Sequence, residues 1–387
     1  MRILILSHEP PVPPFNGHRL ALASLLPDLG TRHELRVLAL GAATDGTDRA
    51  WLRVEPAPQG AGVALRDAGD FVVRRRPRRV DALVETLAVP LDEELRRFDP
   101  DVVHVFSNRL AAAHRLLGDR PRLLTALDAA HRNVAARVAL ARGARRLALR
   151  AEARRMERFV ATEFPAYGTV VMVTPEDAEA VAELAPDARV TSIPNGVDAE
   201  RYAVHVPREP GRIVFHGAMG YAPNVGAAGF AARELLPQVR ARVPEAELVL
   251  VGRDPSAEVR ALAELPGVQV TGEVDDVAPW LASASVYLCP MRTGTGIKNK
   301  LLEAMAAGAP CVVTPLALQG IAADHGRDVL VGSDAEELIA HVVALLTDAE
   351  RADRLGTHAR RLVVEQHAWE VAARAYAELY EELAAGR

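Results

Sequence analysis

Short apolar runs alternate with longer helical stretches along almost the whole chain. The runs are bounded by turn residues, and the stretches between them are rich in Ala, Leu and Arg. This alternation is typical of β-α-β units, in which helical crossovers join parallel strands, so we predict an α/β fold with doubly wound, Rossmann-like sheets. In the first half we expect strands near residues 2–7, 34–40, 102–106, 122–127 and 169–174. In the second half we expect strands near residues 212–216, 247–252, 268–272, 285–289, 310–314 and 328–331.

The length of the chain favours two domains. A single hydrophobic core rarely grows to 387 residues, and a hydrophobic fraction of 49% supplies apolar surface for two cores. The turn residues Pro194-Asn195-Gly196 place the boundary between them. We therefore predict one domain over residues 1–194, a second over 195–366, and a final helix over 367–387 that could cross back to the first.

Charge and hydropathy exclude several classes of protein. The net charge of -5 provides no field that would attract nucleic acid. The first apolar run is too short for a signal peptide, and no run approaches the roughly 18 residues of a membrane span, so we expect a cytoplasmic protein. Cys289 and Cys311 have no metal ligand at a suitable spacing, so we expect buried thiols and no metal site.

Two basic segments leave a choice open. Residues 74–79 are the cluster RRRPRR, and residues 132–158 carry nine arginines against two glutamates on what looks like an amphipathic helix. Such a face is usually solvated. The alternative is an anionic acceptor or peripheral contact with the inner face of a membrane, since basic amphipathic helices can lie on anionic lipid.

Lysine is confined to one short segment. Of the 46 basic side chains only Lys298 and Lys300 are lysine, and they follow Gly294 and Gly296 at the start of a predicted helix. A helix N-terminus with a nearby ammonium favours an anion, so the segment predicts a phosphate site. Glu303 lies deeper in the helix and could accept hydrogen bonds from a ribose; the alternative is an exposed helix glutamate.

Two more loops follow predicted strands and precede helices. The first holds Asn16 and Gly17, and the second holds Gly217 and Gly220. Ligands of open α/β sheets bind at the carboxyl ends of strands, where glycine lets backbone N–H groups approach a phosphate. Taken alone, each loop is also compatible with an ordinary connection.

Together these segments resemble the retaining glycosyltransferases of family 4, also called glycosyl transferases group 1. The resemblance covers nearly the whole chain and is strongest at residues 193–198, 217–224, 248–253 and 294–308. It implies the GT-B architecture, with two Rossmann-like domains facing across a cleft. It also implies that the first domain binds the acceptor, that the second binds a nucleotide-diphosphate sugar, and that transfer proceeds with retention and without metal or cofactor.

The resemblance also implies a set of donor contacts. Glu303 matches the second glutamate of the family's acidic motif, which would hold the ribose, whereas Thr295 stands at the first. Family members commonly carry an Arg and a Lys in the region of Ala218 and Asn224, so we predict Lys298 and Arg292 as replacements at the diphosphate. The predicted donor-binding residues are Asn16, Gly17, Gly217, Met219, Asn224, Arg253, Val274, Arg292, Gly294, Gly296, Ile297, Lys298 and Glu303.

The predicted catalytic residues are Asp128, His131, Thr295 and Lys298. Asp128 fits the aspartate of the family's His-Asp pair, whereas the histidine is displaced to His131. A D-x-D sequence at residues 99–101 matches a metal signature of other glycosyltransferases. Because it leads directly into a predicted strand, we interpret it as a helix-to-strand turn.

The predicted function is metal-independent transfer of a sugar to an acceptor hydroxyl with retention. Uridine is the first expectation for the nucleotide and guanosine the second, and the acceptor could be a glycan, a lipid-linked glycan or a small natural product. Two alternatives stay open: a nucleotide-sugar epimerase of the same fold, and a non-catalytic nucleotide-sugar-binding partner subunit.

Overall fold

The computed structural model describes residues 1–14, 16–42, 50–57, 80–294 and 296–386, apart from the side chains of residues 136, 137, 139 and 140. The basic cluster at residues 74–79 and the predicted site residue Thr295 lie outside the described residues. The chain divides into two compact units. Unit 1 comprises Met1–Pro194 with Ala372–Arg387, and unit 2 comprises Asn195–Val371.

Unit 1 is a parallel sheet covered by helices. Its strands are β1 (Arg2–Ser7), β2 (Glu34–Leu40), β3 (Leu52–Glu55), β4 (Val102–Val105), β5 (Arg122–Ala126), β6 (Thr169–Met172) and β7 (Val190–Ser192). They lie in the order β3-β2-β1-β4-β5-β6-β7. Its helices are α1 (Gly17–Arg32), α2 (Val80–Phe98), α3 (Ala130–Leu140), α4 (Gly143–Glu163) and α5 (Pro175–Leu184), with 3-10 turns at Asn108–Leu116 and Phe164–Ala166.

Unit 2 repeats this design. Its strands are β8 (Glu209–His216), β9 (Glu247–Val251), β10 (Val268–Gly272), β11 (Ala284–Cys289), β12 (Cys311–Val313) and β13 (Leu330–Val331), in the order β10-β9-β8-β11-β12-β13. Its helices are α6 (Ala222–Phe230), α7 (Leu236–Arg240), α8 (Ala257–Ala261), α9 (Ala278–Ala282), α10 (Asn299–Ala306), α11 (Ala335–Thr347) and α12 (Ala349–Gln366). A π-helical turn spans Ala231–Leu235, and 3-10 turns span Leu262–Glu264 and Pro315–Leu318.

The last helix, α13 (Trp369–Ala385), is fixed to the sheet of unit 1 by a buried polar network. On β4, His104 Nδ1 lies 2.7 Å from the Tyr380 hydroxyl, and its Nε2 lies 2.7 Å from Thr125 Oγ1. Thr125 Oγ1 in turn lies 3.1 Å from the Tyr376 hydroxyl. Burial lowers the pKa of His104 to about 3, so the imidazole acts as a neutral hydrogen-bonding link.

The α/β architecture is confirmed, and two differences from the sequence prediction have local causes. Strands β3 and β7 were not predicted, because each is a short edge strand without a fully apolar run. The basic helix predicted over residues 132–158 is wrong as one element: it is broken between α3 and α4. Arg142 is extended there and Gly143 has a φ of 57°, which glycine adopts without steric cost.

No helix among the described residues is both long and apolar enough to span a membrane. Cys289 and Cys311 are buried free thiols, as predicted. Burial raises the pKa of both thiols, to about 11 for Cys289. The D-x-D sequence forms the turn between α2 and β4, with a φ of 45° at Asp99.

Candidate functional site

In unit 2 the strand order reverses between β8 and β11, which lie side by side. Such a switch point is where open α/β sheets bind ligands, because the loops after the two strands diverge and leave a crevice. Here the loop after β8 begins at Gly217, and the loop after β11 leads into α10. The loops contain most of the residues that the sequence singled out in this half, among them Gly217, Gly294 and Lys298.

The loops after β8 and β9 are in backbone contact. The Gly217 N–H donates to the Val251 carbonyl at 3.0 Å, and the Met219 N–H donates to the Arg253 carbonyl at 2.9 Å. A Cβ added to Gly252 would lie 1.9 Å from the Gly217 carbonyl oxygen. Only glycine fits at position 252, and the tight packing fixes the loop that faces the crevice.

Lys300, in the first turn of α10, reaches the Gly217 loop. Its Nζ donates to Asn224 Oδ1, and Asn224 Nδ2 donates to the Ala218 carbonyl at 2.9 Å. The same Nζ lies 4.9 Å from the centre of the Phe215 ring. Burial lowers the pKa of Lys300 to about 8. The crevice therefore holds an ammonium without a directly paired carboxylate among the described residues.

Lys298 is the N-cap residue of α10 and points elsewhere. Its Nζ donates to the Gly296 carbonyl at 2.6 Å, with the Gly294 carbonyl at 3.5 Å. The side chain is buried, with 7% of the residue exposed. Its ammonium thus closes the glycine-rich loop on itself and fixes the backbone that precedes the helix.

Glu303 lies one turn further along α10 and meets the end of β8. Its Oε2 lies 2.7 Å from His216 Nε2, and its side chain keeps 20% exposure. Burial and then the charge of the Glu303 carboxylate raise the pKa of the Tyr202 hydroxyl. The alternative of an exposed helix glutamate is therefore wrong, because Glu303 is partly buried and its carboxylate contacts the buried His216.

The polar groups of unit 1 meet at the corresponding edge of its sheet. After β5, Asp128 accepts hydrogen bonds from Asn133 Nδ2 at 2.8 Å and from Asn108 Nδ2 at 3.3 Å. Burial and the charge of Asp177 raise the pKa of the Asp128 carboxyl. His131 lines the same small cavity as Asp128, and its buried Nδ1 has no partner among the described residues.

The loop after β1 carries a second polar cluster. Asn16 caps α1 by accepting from the Arg19 N–H at 3.0 Å, and its Nδ2 lies 3.1 Å from both oxygens of Glu9. Ligand atoms of His8, Glu9 and His18 lie within 4.8 Å of one another, an arrangement that could hold a metal. Arg19 Nε, however, contacts Glu9 Oε2 at 3.0 Å, and this charge opposes a divalent cation.

Comparisons with known proteins identify the family and the fold. A family model described as "Glycosyltransferase Family 4" matches residues 16–201, and one described as "Glycosyl transferases group 1" matches residues 210–348. The chain belongs to glycosyltransferase family 4. A sucrose-phosphate synthase from Thermosynechococcus elongatus has a similar structure, with a TM-score of 0.73 and 17% identity over 100% of both chains. The fold is therefore GT-B.

Two curated relatives are mannosyltransferases. A phosphatidyl-myo-inositol mannosyltransferase of Mycolicibacterium smegmatis is 34% identical over 201 residues, or 49% of this chain and 51% of that protein. A GDP-mannose-dependent alpha-(1-6)-phosphatidylinositol monomannoside mannosyltransferase of Mycobacterium tuberculosis is 30% identical over 211 residues, or 49% of this chain and 54% of that protein. The chain thus spans about half the length of the curated relatives it matches.

The remaining predicted donor contacts of this family 4 protein are dispersed. Met219 is fully buried in the core, Val274 and Ile297 pack against that core, and Arg253 is exposed. The Arg292 guanidinium lies 4.8 Å from the centre of the Phe230 ring. The sequence predicted Lys298 and Arg292 as the cations at the diphosphate. The cation that contacts Asn224 is instead Lys300.

Sequence reasoning missed two residues at this site, Lys300 and His216. Lys300 is as unusual as Lys298, since these two are the only lysines in the sequence. The position at which α10 begins decides which of the two side chains turns toward Gly217. His216 carried a weaker signal. It is a histidine as the last residue of an otherwise apolar strand, immediately before the glycine loop.

Proposed function

We propose that this protein transfers a mannosyl group from GDP-mannose to a hydroxyl of an acceptor, with retention at the anomeric carbon. The observation that carries the proposal is the grouping of Lys300, Asn224 and Glu303 at the switch point of unit 2. The names of the curated relatives support mannose, and one of them specifies GDP-mannose. Guanosine therefore replaces uridine as the first choice of base.

Lys300 would meet the diphosphate of the donor. Its Nζ and the N-terminus of α10 lie at the same end of the crevice as the Gly217 loop. As the bond to the sugar breaks, negative charge grows on the leaving diphosphate, and a preorganised ammonium with nearby N–H groups stabilises it. Lys298 contributes through the loop that it closes, which aligns Gly294 and Gly296 beside the phosphate.

Glu303 would accept hydrogen bonds from the ribose hydroxyls, since an ionised carboxylate only accepts. In unit 1, Asp128 and His131 would orient the sugar or the acceptor. Asp128 is suited to a neutral diol, because Asn108 and Asn133 fix both its oxygens. The acceptor hydroxyl would lose its proton to the departing phosphate, as the retaining members of the family imply.

Calorimetry with GDP, UDP, ADP and dTDP, with and without EDTA, tests this proposal, together with transfer from GDP-mannose to phosphatidylinositol in mixed micelles. We expect GDP to bind most tightly and EDTA to leave both binding and donor turnover unchanged. Slow hydrolysis of GDP-mannose without acceptor would still support an enzyme. Binding without turnover or hydrolysis would favour a non-catalytic partner subunit, and the absence of binding by any nucleotide would refute the donor site.

Donor binding should take up a proton above neutral pH. The pKa of Lys300 in the free protein is lowered to about 8, and a bound diphosphate favours the charged form and raises that pKa. GDP affinity should therefore be greatest below pH 8 and fall as the pH rises through 8 to 9, where the phosphate, with a pKa of about 6, no longer titrates. Calorimetry at pH 8 in buffers of different ionisation enthalpy measures this uptake; Lys300→Met should abolish it.

We further propose that α4 contacts anionic lipid. Five of its exposed residues are arginines, and Leu147 beside them is 66% exposed. The exposed arginines of this region are Arg142, Arg145, Arg146, Arg150, Arg154 and Arg158. Each arginine close to an anionic surface contributes about 1 kcal/mol, and an exposed leucine adds apolar contact.

Liposome flotation tests this contact. We expect the protein to bind vesicles containing phosphatidylserine at low salt and to be released at high salt or by the double substitution Arg145→Glu and Arg146→Glu. Arg242→Glu, an exposed arginine of unit 2, serves as the control. Equal binding to neutral and anionic vesicles would contradict the proposal.

A further inference from the structure

His216 is a buried polar side chain at the crevice to which the proposed mechanism assigns no role. It is the last residue of β8, and only 5% of it is exposed. Its Nε2 lies 2.7 Å from Glu303 Oε2. The ring also lies 5.5 Å from the Tyr287 ring, centre to centre, so packing leaves the imidazole little freedom to turn.

The chemistry of the pair fixes the direction of its hydrogen bond. An ionised carboxylate has no proton to give, so the hydrogen between the two groups belongs to His216 Nε2. His216 Nδ1 is buried and has no partner among the described residues. Among the described residues, the imidazole therefore has a single polar contact, and that contact is with Glu303.

His216 is more deeply buried than Glu303, as expected of a residue that supports a ligand-binding carboxylate. The His216 side chain is 7% exposed, whereas the Glu303 side chain keeps 20%. A ligand in the crevice can reach the carboxylate but is screened from the imidazole. A carboxylate on a helix can turn about its side-chain torsions, and losing a buried donor would release it.

We propose that His216 is a positioning residue, which holds the Glu303 carboxylate in the orientation that accepts hydrogen bonds from the ribose of the donor. This inference rests on the proposed function, in which Glu303 meets that ribose. His216 itself touches neither donor nor acceptor. Its substitution should therefore weaken recognition of the ribose hydroxyls and leave recognition of the diphosphate intact.

The test compares ligands that differ in the ribose. Binding of GDP, 2′-deoxy-GDP, 3′-deoxy-GDP and inorganic pyrophosphate is measured by calorimetry on wild type and on the substitutions His216→Leu and His216→Gln. In wild type we expect GDP to bind roughly 10- to 100-fold more tightly than at least one deoxy analogue, the usual effect of a hydrogen bond to a charged group. His216→Leu should reduce this ratio to near one with pyrophosphate affinity unchanged, and His216→Gln, whose amide restores a donor, should recover most of it.

The outcomes separate this inference from the function on which it rests. His341→Leu is the matched control, because His341 Nε2 contacts the Val331 carbonyl and not Glu303, and it should leave the ratio unchanged. Equal losses for GDP and pyrophosphate in His216→Leu would indicate a merely structural histidine and overturn the inference, as would an unchanged ratio. No discrimination by wild type would instead refute the ribose contact of Glu303, and no GDP binding at all would refute the proposed donor.

Discussion

Lys300→Ala should reduce the turnover of GDP-mannose, measured as kcat/KM, by roughly 100- to 1,000-fold, the usual effect of removing one stabiliser of a developing oxyanion. The ammonium that contacts Asn224 is lost, and with it the positive charge that faces the diphosphate in the proposed complex. The loss should fall mainly on kcat, since charge on the diphosphate increases as the bond to the sugar breaks. Steady-state kinetics of donor hydrolysis or transfer measure it.

Lys298→Ala is the matched comparison, because it removes the other lysine from the same segment. Its ammonium is held by the Gly296 carbonyl, so its loss should loosen the loop and raise KM more than it lowers kcat. Lys300→Arg should retain part of the activity, since it keeps the charge but not the compact geometry. If Lys298→Ala had the larger effect on kcat, the direct contact with the diphosphate would belong to Lys298.

The contrast between the two lysines shows what the sequence could and could not predict. Residue type and clustering predicted a phosphate site in the segment from Gly294 to Gly308. The choice between Lys298 and Lys300 depends on where α10 begins. Because α10 starts at Asn299, Lys298 stays outside the helix and folds back onto loop carbonyls, while Lys300 turns toward Gly217. One residue of shift in a helix boundary changes which side chain reaches the ligand.

In the fold, too, some elements could be predicted from the sequence and others could not. Central strands such as β1 and β8 are apolar because helices cover both faces of a parallel sheet, so their positions could be read from the sequence. The edge strands β3 and β7 lack this signature. Partners distant in the chain were also beyond prediction: His216 and Glu303 are separated by 87 residues, and only the pairing of β8 with β11 brings α10 beside the end of β8.

Gly252→Ala should destabilise unit 2 by about 3–5 kcal/mol, the range in which backbone strain and overpacking of a buried site combine. A methyl group at this position would lie 1.9 Å from the Gly217 carbonyl oxygen and 2.9 Å from its carbonyl carbon. Both are backbone atoms, so no side chain can move aside. The φ of 146° at Gly252 adds strain for any residue with a Cβ.

Urea unfolding with a probe in each unit measures this effect, since two units need not unfold together. Gly226→Ala is the control, because this glycine is inside α6 and an added Cβ meets nothing within 4 Å. It should be neutral or should stabilise by about 0.5–1 kcal/mol through helix propensity. GDP binding should be lost in Gly252→Ala even where unit 2 stays folded, because relief of the clash displaces Gly217 from Lys300. Wild-type stability and affinity in that variant would contradict the backbone contact between the two loops.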